Sequence, residues 1–195
     1  MKKYKLVGCG ILKKEVNYLI KKNSWAIEPH FLDSSLHIDF DKLSFGLTKG
    51  LTRYEEQETI VFYGCCHPLM DQMLEQHKTV RTYGQNCIDM LLGPELFHEE
   101  LNKGAFFLVE DWAKRWEYLM KKSLGSNLEL AREIFKSDRK YLLCIRTPCS
   151  GDFADYAQQS GDLIGVPVKW MDVNLDYLES VLEQVLRIKQ GSAHA

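Results

Sequence analysis

The side chains in this sequence that are best suited to chemistry are soft metal ligands placed just after a predicted strand. Cys65, Cys66 and His67 follow the apolar run 59–63, whose β-branched and aromatic residues are typical of a strand buried on both faces. Gly64 allows a tight turn before them. Thiolates and imidazoles bind Zn²⁺ and iron–sulfur clusters, and open α/β sheets bind ligands at the carboxyl ends of their strands. This stretch therefore predicts a metal or cofactor site.

Other potential ligands occupy similar places in the chain. Cys9 ends a strand predicted over 4–9, Cys87 follows one over 79–83, and Cys149 follows one over 141–146. His37 lies just past a strand predicted over 25–32. Cys144 alone falls inside a strand, so we expect it in the core. Because parallel strands end at one edge of a sheet, we expect the other thiols to converge there.

Hydrophobic periodicity predicts strands and helices in alternation along the chain. Strands are predicted over residues 4–9, 25–32, 59–63, 79–83, 105–109, 141–146 and 166–172. Helices are predicted after Gly10 and over 41–56, 69–77, 87–92, 96–103, 113–122, 128–137, 152–164 and 175–189. Trp112 and Trp116 lie four residues apart, and we expect both to pack in the core from one helix face. The alternation predicts a three-layer α/β fold, with a mostly parallel, doubly wound (Rossmann-like) sheet and helices on both faces.

The length and composition narrow the class of protein. A chain of 195 residues can form one domain with a full hydrophobic core, predicted at residues 1–190, followed by a disordered polar tail at 191–195. The net charge is −2 and no long basic run indicates binding to nucleic acid. No apolar run approaches the roughly 18 residues of a membrane span, and the N-terminus lacks the apolar segment of a signal peptide. We therefore expect a cytoplasmic protein with reduced cysteines.

Two interpretations of the cysteines need no metal. Free cysteines are often small buried hydrophobic residues. Cys87 also opens a predicted helix, where the positive end of the helix dipole favours the thiolate, so with a nearby histidine it would be the nucleophile of a metal-free enzyme. The short zinc-binding pairs, two cysteines separated by two residues, do not occur in this sequence. The predicted convergence at one sheet edge still favours a metal site.

Several short motifs spread over residues 5–150 form a pattern that is found in a known family. The motifs are Gly8-Cys9-Gly10 with Glu15, Leu36-His37, Tyr63-Gly64-Cys65-Cys66, Cys87-Ile88 with Leu91-Leu92-Gly93, and Gly104-Ala105-Phe106-Phe107-Leu108 with Trp112. Together they resemble an uncharacterised prokaryotic family, the domain of unknown function 1638 (DUF1638).

The resemblance implies a shared ligand set: Cys9, His37, Cys66 and Cys87. Cys65 is then the additional thiol. The chain departs from the family pattern at Asn86, where an acidic residue is expected, and at Glu110-Asp111, which replaces a glycine-containing segment before Trp112. Proteins that resemble this one sit among corrinoid-dependent methyl-transfer systems of anaerobes. The resemblance therefore implies a one-carbon setting, with a corrinoid protein or a methyltransferase as partner.

These observations lead us to expect zinc on that ligand set, activating a thiol for methyl transfer if one coordination position is open. The supporting residues are expected to be Cys65, His67 and Cys149 as cofactor contacts, labile ligands or proton carriers, and Glu15, Asn86 and Asp89 as partners of the ligands. The alternative is a non-enzymatic accessory protein that carries an iron–sulfur cluster or a tetrapyrrole such as a corrinoid, with His37 or His67 as axial ligand. An enzyme and an accessory protein both fit these residues. A homodimer is expected only as the commonest kind of oligomer.

Overall fold

The computed structural model describes residues 3–125 and 127–191, with every side chain in these ranges except that of Ala131. The chain forms two compact units, and each has its own parallel sheet. The first unit comprises Met1–Gly93 and Leu175–Ala195, and the second comprises Pro94–Asn174.

The strands follow the apolar runs of the sequence. They are β1 (Tyr4–Cys9), β2 (Ile27–Leu32), β3 (Thr59–Phe62), β4 (Val80–Arg81), β5 (Ala105–Leu108), β6 (Tyr141–Arg146) and β7 (Val168–Asp172). The helices between and after them are α1 (Lys13–Lys22), α2 (Phe40–Arg53), α3 (Met70–Gln76), α4 (Cys87–Leu92), α5 (Pro94–Asn102), α6 (Glu110–Ala113), α7 (Trp116–Leu124), α8 (Leu128–Asp138), α9 (Ala154–Ile164) and α10 (Asp176–Gly191). Short 3-10 turns cover Gly10–Leu12 and Ser34–Ile38.

The sheet of the first unit holds four parallel strands in the order β2-β1-β3-β4. The chain runs from β1 outward to β2 and then returns past β1 to β3, so the direction of winding reverses between β1 and β3. In open α/β sheets the crevice at such a switch point is where ligands bind. Pro29 lies within β2, opposite Leu6. This is tolerated because β2 is an edge strand and needs no donor on its outer side.

Helices cover the sheet of the first unit. Val7 and Val61 in the two central strands have no solvent exposure, and α2 packs on β1 where Gly50 leaves room for the side chain of Val7. Glu179 in α10 links this helix to the end of α1, since Lys22 Nζ lies 2.7 Å from Glu179 Oε2. Burial on both faces explains why β3 and the residues Leu6 and Val7 of β1 are apolar.

The sheet of the second unit holds three parallel strands in the order β5-β6-β7. Alternate residues of β6 enter two different cores, as the period of two in a strand requires. Leu142 and Cys144 join a cluster that contains Trp116 from α7 and several helix residues. Leu143 joins a smaller cluster on the other face.

The fold class predicted from the sequence is confirmed, because the strand pairings are parallel and helices flank the sheets. The alternation predicted one sheet, whereas the strands lie in two. Periodicity reports the burial of a strand but does not identify its neighbour, which is the reason for the difference. The assignment of residues 1–190 to a single domain stays a prediction. The predicted tail lies outside the described residues apart from Gly191, which ends α10.

One predicted helix is interrupted in the structure. Trp112 lies in α6 and Trp116 in α7, with Lys114 and Arg115 between the two helices. Because they lie in different helices, the expectation of one shared helix face was wrong. Their expected core packing is confirmed, since Trp116 is buried in a core cluster and the half-buried Trp112 packs against the same cluster. Among the described helices, none is both long and apolar enough to cross a membrane.

Candidate metal centre

The switch point of the first sheet brings together the loops that carry the predicted ligands. Cys9 ends β1, and Cys65 and Cys66 follow β3, the strand that pairs with β1. His37 lies in the 3-10 turn that follows β2, on the other side of β1. Cys87 begins α4, which follows β4. The strand order therefore gathers four separate segments around the carboxyl end of β1.

Two glycines allow these segments to approach closely. A Cβ at Gly10 would lie 2.8 Å from the carbonyl oxygen of Leu32, the last residue of β2. A Cβ at Gly64 would collide with the backbone of Gln85 and Asn86, just before α4. The backbone N–H of Cys65 donates to the carbonyl oxygen of Gln85 at 2.8 Å in the same contact. Any side chain at either glycine would push a ligand-bearing segment away from the others.

Cys9 is the centre of the candidate site. Its side chain is 2% exposed and accepts hydrogen bonds from the thiol of Cys87, from His37 and from the backbone N–H of Ile11. These donors outweigh the effect of burial and lower the pKa of Cys9 to about 6. Cys9 is therefore a thiolate at neutral pH, which is the form that binds metals and attacks electrophiles.

Cys87 has the opposite character. The side chain of Asn86 caps α4 by accepting hydrogen bonds from the N–H groups of Ile88 (2.9 Å) and Asp89 (3.0 Å). The pKa of Cys87 is nevertheless raised well above its ordinary value, because its S–H donates to the Cys9 thiolate and because it is buried. The interpretation in which the helix dipole makes Cys87 the thiolate stays a prediction.

Cys66 completes the group. It is half-buried, and burial together with the charge of Cys9 raises its pKa to about 11. Charges on Cys66 and Cys9 also raise the pKa of Cys87, so the three thiols lie within electrostatic range of one another. Cys66 and Cys87 thus lie within electrostatic range of Cys9, which His37 also contacts, and the role of these four residues as metal ligands stays a prediction.

Cys65 and His67 lie beside this set but have other contacts. Cys65 is exposed, and the guanidinium of Arg81 donates to its sulfur at 3.3 Å. Arg81 is itself held by Asp71, with Nε 2.8 Å from Oδ1. His67 Nδ1 accepts a hydrogen bond from the N–H of Leu69 at 3.0 Å. A role for Cys65 or His67 in binding a cofactor stays a prediction.

The predicted supporting residues act mainly on the backbone. Asn86 is the cap of α4, and Asp89 Oδ2 accepts a hydrogen bond from the N–H of Gln85 at 2.6 Å. Both therefore hold the turn that places Cys87. Glu15 is buried in α1.

The other two cysteines belong to the second unit. Cys144 has no solvent exposure and joins the core of that unit, which confirms its predicted structural place. Burial raises its pKa to about 12. Cys149 lies in the loop after β6, where its N–H donates to Thr147 Oγ1 at 3.1 Å. In the same loop the N–H of Gly151 donates to Glu110 Oε2 at 2.9 Å.

Two residues near the set were missed from the sequence. Tyr63 was assigned only as a buried strand residue, although a buried tyrosine hydroxyl needs a partner and could have marked the site. Arg81 was assigned only to a strand, although a charged residue near the carboxyl end of a predicted strand could also have marked the site.

The donor set suits a thiophilic metal in its chemistry. Three thiols and one imidazole are the ligands of a common class of zinc site, and four thiolate-type ligands also hold iron–sulfur clusters. Within residues 3–125 and 127–191, no group of three or more histidine, cysteine or acidic side chains is already arranged to hold a metal ion. Binding a metal would require Cys66 and Cys87 to lose their protons and the side chains to turn toward one point.

Comparison with known proteins identifies the family and no activity. The profile of a family described as "Protein of unknown function (DUF1638)" matches residues 31–182. His37, Cys66 and Cys87 lie inside the matched region, and Cys9 lies before it. No curated protein matches this sequence. Because the match covers most of the chain, the protein belongs to the DUF1638 family.

Proposed function

We propose that the protein binds one thiophilic metal ion, zinc first, through Cys9, His37, Cys66 and Cys87. The observation that carries this proposal is the placement of Cys9, which contacts Cys87 and His37 and lies in the electrostatic range of Cys66. The four residues come from four segments that meet only at the switch point of the sheet. A metal ion bound by all four side chains would explain why these segments converge.

The electrostatic repulsion that these thiols would experience as thiolates without a metal supports the proposal. Cys9 is a buried anion next to two further thiols, and each additional thiolate would repel it in a poorly solvated place. A divalent cation offsets this repulsion and allows Cys66 and Cys87 to ionise, so binding would release protons. Bound zinc would lower the pKa of any thiol that coordinates it.

Cys66 is the ligand best placed to exchange with a substrate. It is the only half-exposed thiol of the three, since Cys9 and Cys87 are 2% and 7% exposed. Its high pKa also favours its release as a neutral thiol. A thiol substrate taking the place of Cys66 would fit methyl transfer in corrinoid-linked one-carbon metabolism, with a corrinoid protein or a methyltransferase as partner. We propose this setting on the resemblance alone.

A metal-free cysteine enzyme is the second candidate. The observation in its favour is the Cys9 thiolate beside His37, a pairing typical of nucleophilic cysteines. The nucleophile would then be Cys9, whereas the sequence had suggested Cys87. The burial of Cys9 argues against this candidate, because a substrate could not reach the sulfur without a rearrangement.

Metal content tests the proposal. The protein is purified without oxygen, and zinc, iron and cobalt are measured per chain together with the visible spectrum. We expect about one zinc per chain, lost in Cys9→Ala and Cys66→Ala and retained in Cys144→Ala, whose thiol lies in the other unit's core. Iron with broad visible absorbance would instead indicate an iron–sulfur or tetrapyrrole accessory protein. No metal after growth with ample supply would contradict the proposal and favour the second candidate.

A further inference from the structure

The hydroxyl group of Tyr63 lacks a partner in the described part of the chain. Tyr63 directly follows β3 and is 1% exposed, and no described residue forms a hydrogen bond with its hydroxyl oxygen. A buried hydroxyl without a hydrogen bond destabilises a protein by about 1–3 kcal/mol. A phenylalanine at this position would avoid that destabilisation, so the presence of the hydroxyl requires an explanation.

Tyr63 lies beside Cys9, because Phe62, the residue before it, pairs with Gly8 of the neighbouring parallel strand β1. The charge of Cys9 acts most strongly on Tyr63, and the charge of Asp33 acts on it as well. Burial and these charges raise the pKa of Tyr63 well above its ordinary value. The group therefore stays protonated, and it can offer a hydrogen bond to a nearby acceptor.

We propose that Tyr63 is a positioning residue that donates a hydrogen bond from its hydroxyl to a cysteine sulfur of the metal-loaded site, most directly to Cys9. This inference rests on the proposed function, because it concerns the site when the metal is bound. The Cys9 thiolate already accepts hydrogen bonds from Cys87, His37 and Ile11.

A bound metal would change which donors remain. Cys87 would lose its proton as a ligand and His37 would use a ring nitrogen for the metal, so neither would donate to Cys9 as before. The sulfur of Cys9 would keep the backbone N–H of Ile11 and could accept one new donor. The buried hydroxyl of Tyr63, the residue beside Cys9 in the sheet, is a neutral O–H group that could take that place. Hydrogen bonds to coordinating atoms are the usual way in which neighbouring residues tune a metal site.

The experiment compares two tyrosine variants that lose the same atom in different settings. Tyr63→Phe removes a hydroxyl that has no partner in the metal-free protein. The matched control is Tyr141→Phe, which removes a buried hydroxyl that donates to Glu100 Oε2 at 2.8 Å in the second unit. For each variant we would measure the zinc dissociation constant by competition with a chromogenic chelator, the melting temperature of the metal-free protein, and the visible spectrum after cobalt substitution.

The inference predicts opposite results for the two variants. Tyr63→Phe should weaken zinc binding about tenfold or more, because a hydrogen bond to a charged group is lost. Its metal-free melting temperature should stay the same or rise, and its sulfur-to-cobalt charge-transfer bands should move to lower energy, because a thiolate without its donor gives up electrons more easily. Tyr141→Phe should lower the melting temperature and leave zinc affinity and spectrum unchanged.

Two outcomes would overturn the inference in distinguishable ways. If the wild-type protein binds zinc and Tyr63→Phe binds it equally well with an unshifted cobalt spectrum, the hydroxyl has no role at the metal, although the proposed function stands. If the wild-type protein binds neither zinc nor cobalt, the proposed function itself fails, and the inference fails with it.

Discussion

At the scale of single residues, the site is defined by an unequal distribution of charge between neighbouring thiols. Cys9 accepts three hydrogen bonds and is ionised at neutral pH, whereas Cys87 donates to it and keeps its proton. A soft cation would therefore meet one preformed anion and two thiols that ionise on binding. Because the two thiols would release their protons on binding, metal affinity should depend on pH.

The charge of Cys9 can be measured directly in the metal-free protein. The ultraviolet absorbance of thiolates should rise by one cysteine as the pH increases through about 6, because hydrogen bonds hold the pKa of Cys9 down. Cys9→Ala should lack this step, and Cys144→Ala should retain it. A wild-type protein whose first thiolate forms only near pH 8.5, about the value for an ordinary cysteine, would contradict the assignment.

Cys144 should make the protein less stable in alkali. Its pKa is about 12 in the folded chain and about 8.5 in an unfolded one. The raised value means that its contribution to stability is complete below about pH 8.5 and is lost as the pH rises toward 12, at about 1.4 kcal/mol per pH unit. Urea unfolding of Cys144→Ala in reducing buffer should show a shallower decline above about pH 9 than the wild type. Parallel declines would show that Cys144 does not titrate in this way.

The sequence predicted a convergence of thiols but not their protonation. Cys9, Cys66 and Cys87 follow strands of one sheet, as expected, whereas Cys149 follows β6 in the sheet of the second unit. Their role as metal ligands, with His37, stays a prediction. Which thiol ionises depends on side-chain hydrogen bonds between segments far apart in the chain, and periodicity contains no information about those bonds. The hydroxyl of Tyr63 was missed for the same reason.

At the scale of elements, short loops with glycine at the contact points hold the site together. Gly10 lies against the end of β2, and Gly64 lies against the turn that precedes α4. The loop after β3 thus reaches the start of α4 without a side chain between them.

Gly64→Ala should separate these elements. A Cβ at this position would lie 2.6 Å from the backbone nitrogen of Asn86, and backbone cannot move aside as a flexible side chain can. We expect the free energy of unfolding to fall by about 1–3 kcal/mol and metal content to fall with it. Gly191→Ala is the control, because no atom of the described residues lies within 4 Å of its added Cβ. Equal stability of the two variants in chemical denaturation would contradict the contact.

Element bounds were predicted well where a strand is buried on both faces. β1 and β6 have the predicted limits, whereas the strand predicted over 25–32 begins only at Ile27. The break between α6 and α7 was missed, since the hydrophobic spacing of Trp112 and Trp116 continues through it.

At the scale of the whole molecule, the described chain contains two sheets, one in each compact unit. The second unit is one continuous segment, Pro94–Asn174, and the first unit is formed from the chain on either side of it. The predicted ligand set lies entirely in the first unit. Alternation of strands and helices predicted the fold class, but it could not show that strand pairing stops between β4 and β5, because both kinds of arrangement give the same periodicity.

The second unit should fold without the first. Its sheet and core are made of its own residues, so a fragment of residues 94–174 should show α/β circular dichroism and a cooperative thermal transition. Leu142→Ala in the fragment should abolish or strongly lower the transition, because Leu142 has no exposure and such a cavity costs about 2–5 kcal/mol. A wild-type fragment that melts without cooperativity would show that the unit depends on the rest of the chain.

The central claim is that three cysteines and one histidine hold one metal ion, and X-ray absorption at the zinc edge tests it most directly. The zinc-loaded protein should show three sulfur neighbours at about 2.3 Å and one nitrogen neighbour at about 2.0–2.1 Å. Cys66→Ala, if it retains any zinc, should show two sulfur neighbours. A wild-type spectrum with only nitrogen and oxygen neighbours would contradict the claim, because the zinc would then be bound elsewhere than at Cys9, Cys66 and Cys87.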